Sequence, residues 1–399
     1  MRVSYLQKIR YVLLLLLIVL IALSSHPSIT RLSRNAGMLS GTLLSPYIMV
    51  LFATLFGLCV ASVLKLKTQR ILWLFFGLIV LFCGFLFLLF NTSLMVEDIR
   101  SIGICLCAIT IGCHIQFRET LYRFTLLLYA VLISYIGLMQ VLYGVGGFEI
   151  LDIHISDNKN SIGVELTTAI LIYVLLLVET KNKKFYKIVF LFLAIFTFIL
   201  LLTIRARAAS LATFIIVLYF IVIENKNNNK SDYLIRLFGI ALLVFVVILL
   251  LPEEAKNYVY NSFFQNHEDD ITSGRAERNK AALSFLKHNL LVGNIEGFSH
   301  IPWIHNFPLL KLYDYGLFFS FPILLLYTHL LMNTIKSSLH NKVTIWSFGF
   351  FALIIPFIIS MAEPTFPFGP GTSTVFNFIM FGVSSRYVFE YKNEIDPNL

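Results

Sequence analysis

The stretch WIHNFPLLKLYDYGLFFSFPILLLY (303–327) sets His305 and Asn306 just ahead of a long apolar run. An imidazole accepts or gives a proton near neutral pH, so His305 is a candidate general base; the plainer alternative is a hydrogen-bonded histidine at an interface. Arg205 and Arg207, in LLTIRARAASLATF (201–214), stand between two apolar runs with almost no loop around them. An arginine at such a boundary either snorkels or finds a partner, and its fork-shaped guanidinium suits a phosphate. Arg275, with Arg278 close by, heads SGRAERNKAALSFLKHNLLVGNIEGF (273–298), where a solvated helix face is the simpler reading. Two further residues belong in support. Asn160, in DNKNSIG (157–163), is placed to cap a helix. Glu363, in AEPTFPFGPG (362–371), is either a structural cap or part of a cavity lining. The acidic run NHEDD (266–270) lacks calcium-loop spacing and reads as a solvated turn. Cys59, Cys83, Cys105, Cys107 and Cys113 all fall in apolar runs and read as packing residues, with no disulfide or zinc framework.

These residues must be positioned by elements that are overwhelmingly apolar. Of 399 residues, 58% are hydrophobic and 13% charged, and the mean hydropathy is +0.82. A soluble domain is about half apolar and about a quarter charged. The excess points to an all-α polytopic membrane protein. Apolar runs near bilayer-crossing length fall at 11–24, 42–64, 71–90, 102–117, 124–143, 162–178, 188–202, 208–223, 237–251, 313–332, 343–360 and 374–385. The expectation is therefore about twelve transmembrane helices. The first run follows Lys8 and Arg10 as a signal peptide would, but it lacks a small-x-small cleavage site and reads as a retained helix.

Basic residues orient the spans. With a cytoplasmic N-terminus, 19 of the 31 Lys and Arg fall on the inside and 12 on the outside, six of the latter in one long loop. That bias places both termini in the cytoplasm. It also makes the net charge of +9 a topology signal with no bearing on nucleic acid. The chain divides into an N-terminal bundle of about nine spans (1–251), an extracytoplasmic loop (252–312) and C-terminal spans with a cytoplasmic tail (313–399). Apolar residues at 281, 282, 285, 286, 290 and 291 follow near-helical spacing, so the loop is expected to carry an amphipathic helix over 275–290.

Taken together, these motifs resemble the O-antigen ligase and polymerase family of bacterial envelope proteins. His305, Asn306 and Gly316 reproduce a His-Asn pair followed by nine residues and a glycine. RARAAS resembles the family's Ser-Arg-Gly-Ala-like motif with Arg207 in the arginine position, Ala206 replacing serine or threonine and Ala208 replacing glycine. The segment from Gly274–Arg275 to Gly297 looks like the family's loop segment, with Asn279 near its usual aromatic and Asn289 in place of proline. The similarity covers roughly 190–335. It implies a GT-C-like, all-helical glycosyltransferase at the outer face of the bacterial inner membrane. The implied donor is an oligosaccharide on undecaprenyl pyrophosphate, and the acceptor is a glycan for a polymerase or lipid A–core for a ligase. Membrane lipids and a chain-length regulator are the implied partners, and neither cofactor nor metal is required. His305 would be the catalytic base, Arg207, Arg275 and Arg205 would bind the donor pyrophosphate, and Asn306, Gly316, Asn160 and Glu363 would support them. The variant arginine motif and the stretches DNKNSIG and EPTFPFGPG favour polymerase over ligase. A lipid-linked oligosaccharide flippase or transporter is the alternative from another class, expected to carry ionisable residues near span centres.

The orientation is directly testable. A periplasmic reporter fused at about residue 280 should be active and fusions at about 184 and 230 inactive, given the basic-residue bias; activity at 184 would invert the topology.

Overall fold

The computed structural model describes residues 5–35, 42–60, 67–90, 95–143, 159–180, 183–204, 206–225, 275–295, 297, 301, 304–340, 343–369 and 372–395. In a bilayer core every backbone N–H and C=O must be satisfied within the chain, so long apolar runs fold as helices. Among the described residues the structure is helices joined by turns, with no strand. The helices are α1 (Tyr5–Ser24), α2 (Pro27–Asn35), α3 (Ser45–Val60), α4 (Lys67–Phe90), α5 (Val96–His114), α6 (Glu119–Tyr143), α7 (Lys159–Glu179), α8 (Lys184–Thr203), α9 (Arg207–Asn225), α10 (Arg275–Asn289), α11 (Phe307–His340), α12 (Phe348–Ser360) and α13 (Val375–Ile395).

Among the described residues, six helices are long and apolar enough to cross a membrane: α1, most of α4, α6, α7, α8 and α11. This is the build of an α-helical membrane protein. Helices α3 and α9 and the segment Ile345–Ser360 are apolar but shorter, and α5 opens with Glu97, Asp98 and Arg100. The run expected at 237–251, the NHEDD turn and the boundary at 252 lie outside the described residues. Helix α2 was not expected: PSITRLSRN is too short and too polar to register as a span.

Helix α7 is the hub. Its span is 78% buried, against 22% for those of α4 and α8. Leu74, Leu81 and Leu88 of α4 and Phe185, Ile188 and Phe192 of α8 stay exposed, forming an apolar surface suited to lipid. Helices α5 and α13 cross at glycines: a Cβ on Gly112 would strike the Ile379 carbonyl, and one on Gly382 the Ile109 carbonyl. Such close approach lets dispersion hold helices together where lipid removes the hydrophobic drive. One end of the bundle is closed by Trp346, sandwiched between Tyr122 (5.0 Å) and Tyr387 (4.7 Å). The opposite end gathers the C-terminus of α6, linked to Ser25 after α1, the N-terminus of α5, linked to the start of α11, and α10.

Helix α11 corrects the expected span at 313–332. It starts at Phe307 and breaks at Gly316 (φ 66°, ψ 177°), then resumes to His340. Gly293, just after α10, also has positive φ (68°), and the two glycines meet backbone to backbone. The Leu317 amide donates to the Leu290 carbonyl (2.7 Å), the Phe318 amide to the Leu291 carbonyl (3.2 Å) and the Asn294 amide to the Tyr313 carbonyl (2.7 Å). The break in α11 thus frees amides that the end of α10 satisfies.

Helix α10 is present where expected, but its apolar residues do not all gather on one face. Ala282 and Leu286 are buried while Ala281 and Leu283 are exposed. Its buried side is set by α11: Ala282 packs with Ile304 and Tyr313, and the Phe285 ring lies 5.2 Å from that of Tyr313.

Gly316→Ala is expected to destabilise the protein by at least the 1–3 kcal/mol typical of a non-glycine residue at positive φ, since its Cβ would also meet the 291–293 backbone. Gly57→Ala, where a Cβ meets nothing within 4 Å, is the control. Thermal unfolding in detergent reads both; equal midpoints would remove the backbone contact from the account.

Candidate functional site

Asn306 begins the site. Its Oδ1 accepts the Leu309 amide (3.0 Å), capping the first turn of α11, and its Nδ2 donates to the Met361 carbonyl (3.3 Å). One residue thus starts a helix and ties it to the turn after α12, where Glu363 lies. The Phe307 ring wedges beneath, 5.6 Å from Tyr327 and 5.7 Å from Phe368.

Glu363 is the centre, and it is buried. Its Oε1 accepts from Arg275 Nη2 (2.9 Å), while Arg275 Nη1 donates to the Ala362 carbonyl (3.0 Å). Its Oε2 lies 3.8 Å from His305 Nδ1, too long for a hydrogen bond, and Nδ1 has no other partner. On the other edge of the ring, Arg278 Nη1 lies 3.4 Å from His305 Nε2. A guanidinium only donates, so Nε2 must accept. The neutral ring then carries its proton on Nδ1, facing Glu363, and presents its lone pair at Nε2. Arg275 and Arg278 are three residues apart on α10 and so share a helix face.

The segment carrying these residues is anchored by a second charged group. Lys311 Nζ sits 2.7 Å from both carboxylate oxygens of Asp98, and the Tyr315 hydroxyl donates to Asp98 Oδ2 (2.7 Å). Lys311 is buried, and its ammonium also lies over the rings of Phe307 and Tyr315. The pair fixes the first part of α11, before the Gly316 break, against the start of α5.

Of the residues singled out in the sequence, the structure brings together His305, Asn306, Arg275 and Glu363. Gly316 contributes through the backbone, as the point where α11 receives α10. Asn160 lies within the first turn of α7, which already begins at Lys159, so it does not precede that helix as a cap would. Arg207 is the first residue of α9 and half-buried. Arg205 lies outside the described residues. None of the five cysteines forms a disulfide, and Cys105 and Cys113 donate to the Phe368 and Gly382 carbonyls (3.5 and 3.3 Å) in helix packing. Sequence reading passed over Arg278 as a partner of His305, although its spacing from Arg275 was the available signal. It also missed the Asp98–Lys311 pair. A lysine within an apolar helix demands a partner, but nothing local points to one 213 residues away.

Compared with known proteins, the chain matches no family model and no curated protein.

Removing one partner of a buried pair leaves an uncompensated charge, typically costing about 3–5 kcal/mol. Lys311→Met should approach that cost, and Asp98→Asn combined with Lys311→Met should recover much of it. Thermal unfolding of the single and double variants reads the coupling; purely additive effects would mean that the pair does not hold the segment.

Proposed function

We propose that this protein is a polyprenyl-linked glycan transferase of the bacterial inner membrane, with about twelve spans and both termini cytoplasmic. The observation that carries the reading is the His305 ring held between the Glu363 carboxylate and the Arg278 guanidinium, with Arg275 on the same carboxylate. The gathering supplies a proton acceptor beside fixed positive charge at one end of an apolar bundle. A lipid-borne sugar phosphate needs such a place, with its tail in the bilayer and its glycan in water.

In the proposed step, His305 Nε2 takes the proton of an acceptor sugar hydroxyl. The acceptor oxygen bonds to the anomeric carbon of the donor. The bond from that carbon to the pyrophosphate oxygen breaks, and the pyrophosphate keeps the electron pair. Arginines stabilise the charge that grows on it, a role needing donors fixed in advance. Arg207 and Arg275 are the proposed pyrophosphate ligands, with Arg205 a weaker third. Arg278 covers Nε2 in the free protein, so the acceptor must displace it, and the donor phosphate is the natural destination for its guanidinium. Glu363 keeps the Nδ1 edge facing a carboxylate throughout.

Within this class, a polymerase lengthens a chain on undecaprenyl pyrophosphate, and a ligase passes the chain to lipid A–core. The variant RARAAS motif favours the polymerase, with a chain-length regulator as its partner. A flippase is favoured by one observation: Glu165 is buried inside the span of α7.

The test is transfer from purified undecaprenyl-pyrophosphate glycan at matched protein levels. His305→Ala should abolish it. Arg207→Ala and Arg275→Ala should each lower it by about 10²- to 10³-fold, and Arg→Lys at either position should also impair, because lysine keeps the charge and loses the fork. His340→Ala is the control. Normal turnover by both arginine-to-alanine variants would make these residues anchors and end the pyrophosphate reading. Loss confined to Arg205→Ala would move the motif's register by two residues.

A further inference from the structure

The two arginines of α10 are held in different ways. Arg275 donates to Glu363 Oε1 (2.9 Å) and to the Ala362 carbonyl (3.0 Å), so its charge is matched by a buried carboxylate. Arg278 is half-buried, and its Nη1 reaches His305 Nε2 at 3.4 Å, which is long for a hydrogen bond. Among the described residues no carboxylate pairs with Arg278. Two guanidinium charges therefore face the single carboxylate of Glu363, and the surplus positive charge sits on Arg278. Its weak partner is the nitrogen whose lone pair a base would use. Protonating His305 with Arg278 in place would set two cations against each other, which disfavours the charged ring. The free protein thus holds its base capped, by the one guanidinium of the pair that is free to leave.

We propose that Arg278 is a latch on His305, released by a phosphate or pyrophosphate anion. Such an anion offers the guanidinium two charge-assisted hydrogen bonds in a fork, against one long bond to a neutral ring. Arg275 is the poorer recruit, because leaving Glu363 would strand a buried carboxylate. A neutral sugar hydroxyl carries no charge that could draw Arg278 away. The anion therefore has to arrive first, and its arrival does two things. It uncovers the Nε2 lone pair, and it places a guanidinium on the group where charge grows as the bond breaks. The donor then binds before the acceptor, in compulsory order. That order rests on the transferase reading above, whereas the latch itself does not.

The experiment is modification of His305 by diethyl pyrocarbonate, which attacks an unprotonated imidazole lone pair. The purified full-length protein is treated in detergent and a non-phosphate buffer at about pH 8, above the ordinary imidazole range. Ionic strength is fixed, and mass spectrometry of peptides reads each histidine. His305 should react slowly in the free wild type. Reactivity follows the fraction of molecules with a free lone pair, so undecaprenyl pyrophosphate should raise it on the order of tenfold. Inorganic pyrophosphate is the second arm: a response to both probes assigns the latch to the anion alone, and a response to the lipid form only assigns it to a membrane-borne donor. His340, exposed at the other end of α11, should not respond. Arg278→Ala should react at the fast rate with no anion present and gain nothing from either probe. A wild-type rate that stays level or falls with both probes overturns the latch. So does a slow Arg278→Ala, because something else would then cover Nε2. If Arg278→Ala does not fold, the wild-type response decides alone. In an active preparation, an inert acceptor analogue should inhibit uncompetitively against the donor, and a mixed pattern would overturn the order. Transfer without an anion response would sink the latch and spare the transferase; the response without transfer would do the reverse.

Discussion

The contact between Gly293 and Gly316 is the interaction on which the arrangement of this end of the bundle depends. Both residues adopt positive φ, and a Cβ on either would collide with the other's backbone. Three main-chain hydrogen bonds then fasten the end of α10 to the break in α11. Side-chain packing alone would let α10 slide or roll. Backbone hydrogen bonds fix its register, and with it the positions of Arg275 and Arg278 at the other end of the same helix. The break is equally needed on the α11 side. It lets the short segment 307–315 take its own direction, so that Asn306 reaches the Met361 carbonyl and Lys311 reaches Asp98.

The charges at this end are arranged to need one another. Glu363 is buried but has Arg275 against one oxygen and the imidazole edge of His305 facing the other. Asp98 is matched by Lys311 and a phenol hydroxyl. Each acid is compensated by a base from a different helix, so the charged groups also act as clasps. Low dielectric strengthens such clasps and makes any unmatched member costly. The contrast with Glu165 follows: it receives one hydroxyl and no ion pair among the described residues.

Much of this architecture was legible in the sequence because apolar runs of bilayer length leave little choice but a helix. Each expected run other than 237–251 falls on a helix, though the helix bounds differ by several residues. His305, Asn306 and Glu363 stood out because polar groups at the ends of apolar runs are few, and Arg275 because it heads the helix expected in the long loop. The break at Gly316 was hidden, since the hydrophobic pattern continues through LYDYGLFFSF without a pause. The rotation of α10 was misjudged for a related reason. Its buried face is chosen by Ile304 and Tyr313, which belong to a different element. The Asp98–Lys311 pair belongs to the same class of long-range facts, invisible to any reading that moves along the chain.

The clasp between Arg275 and Glu363 joins residues 88 positions apart, and that separation has a consequence during synthesis. Chains emerge from the ribosome at about 5–20 residues per second, so Arg275 precedes its partner by roughly 4 to 18 seconds. Gly316 is made about midway through that interval, so α10 first lacks the break in α11 to dock on and, until the interval ends, lacks the carboxylate that will hold its first residue. The gathering around His305 is thus among the last parts of the molecule to be completed. A nascent chain halted before the turn at 361–363 would carry most of its helices, yet lack the arrangement that gives His305 its neighbours.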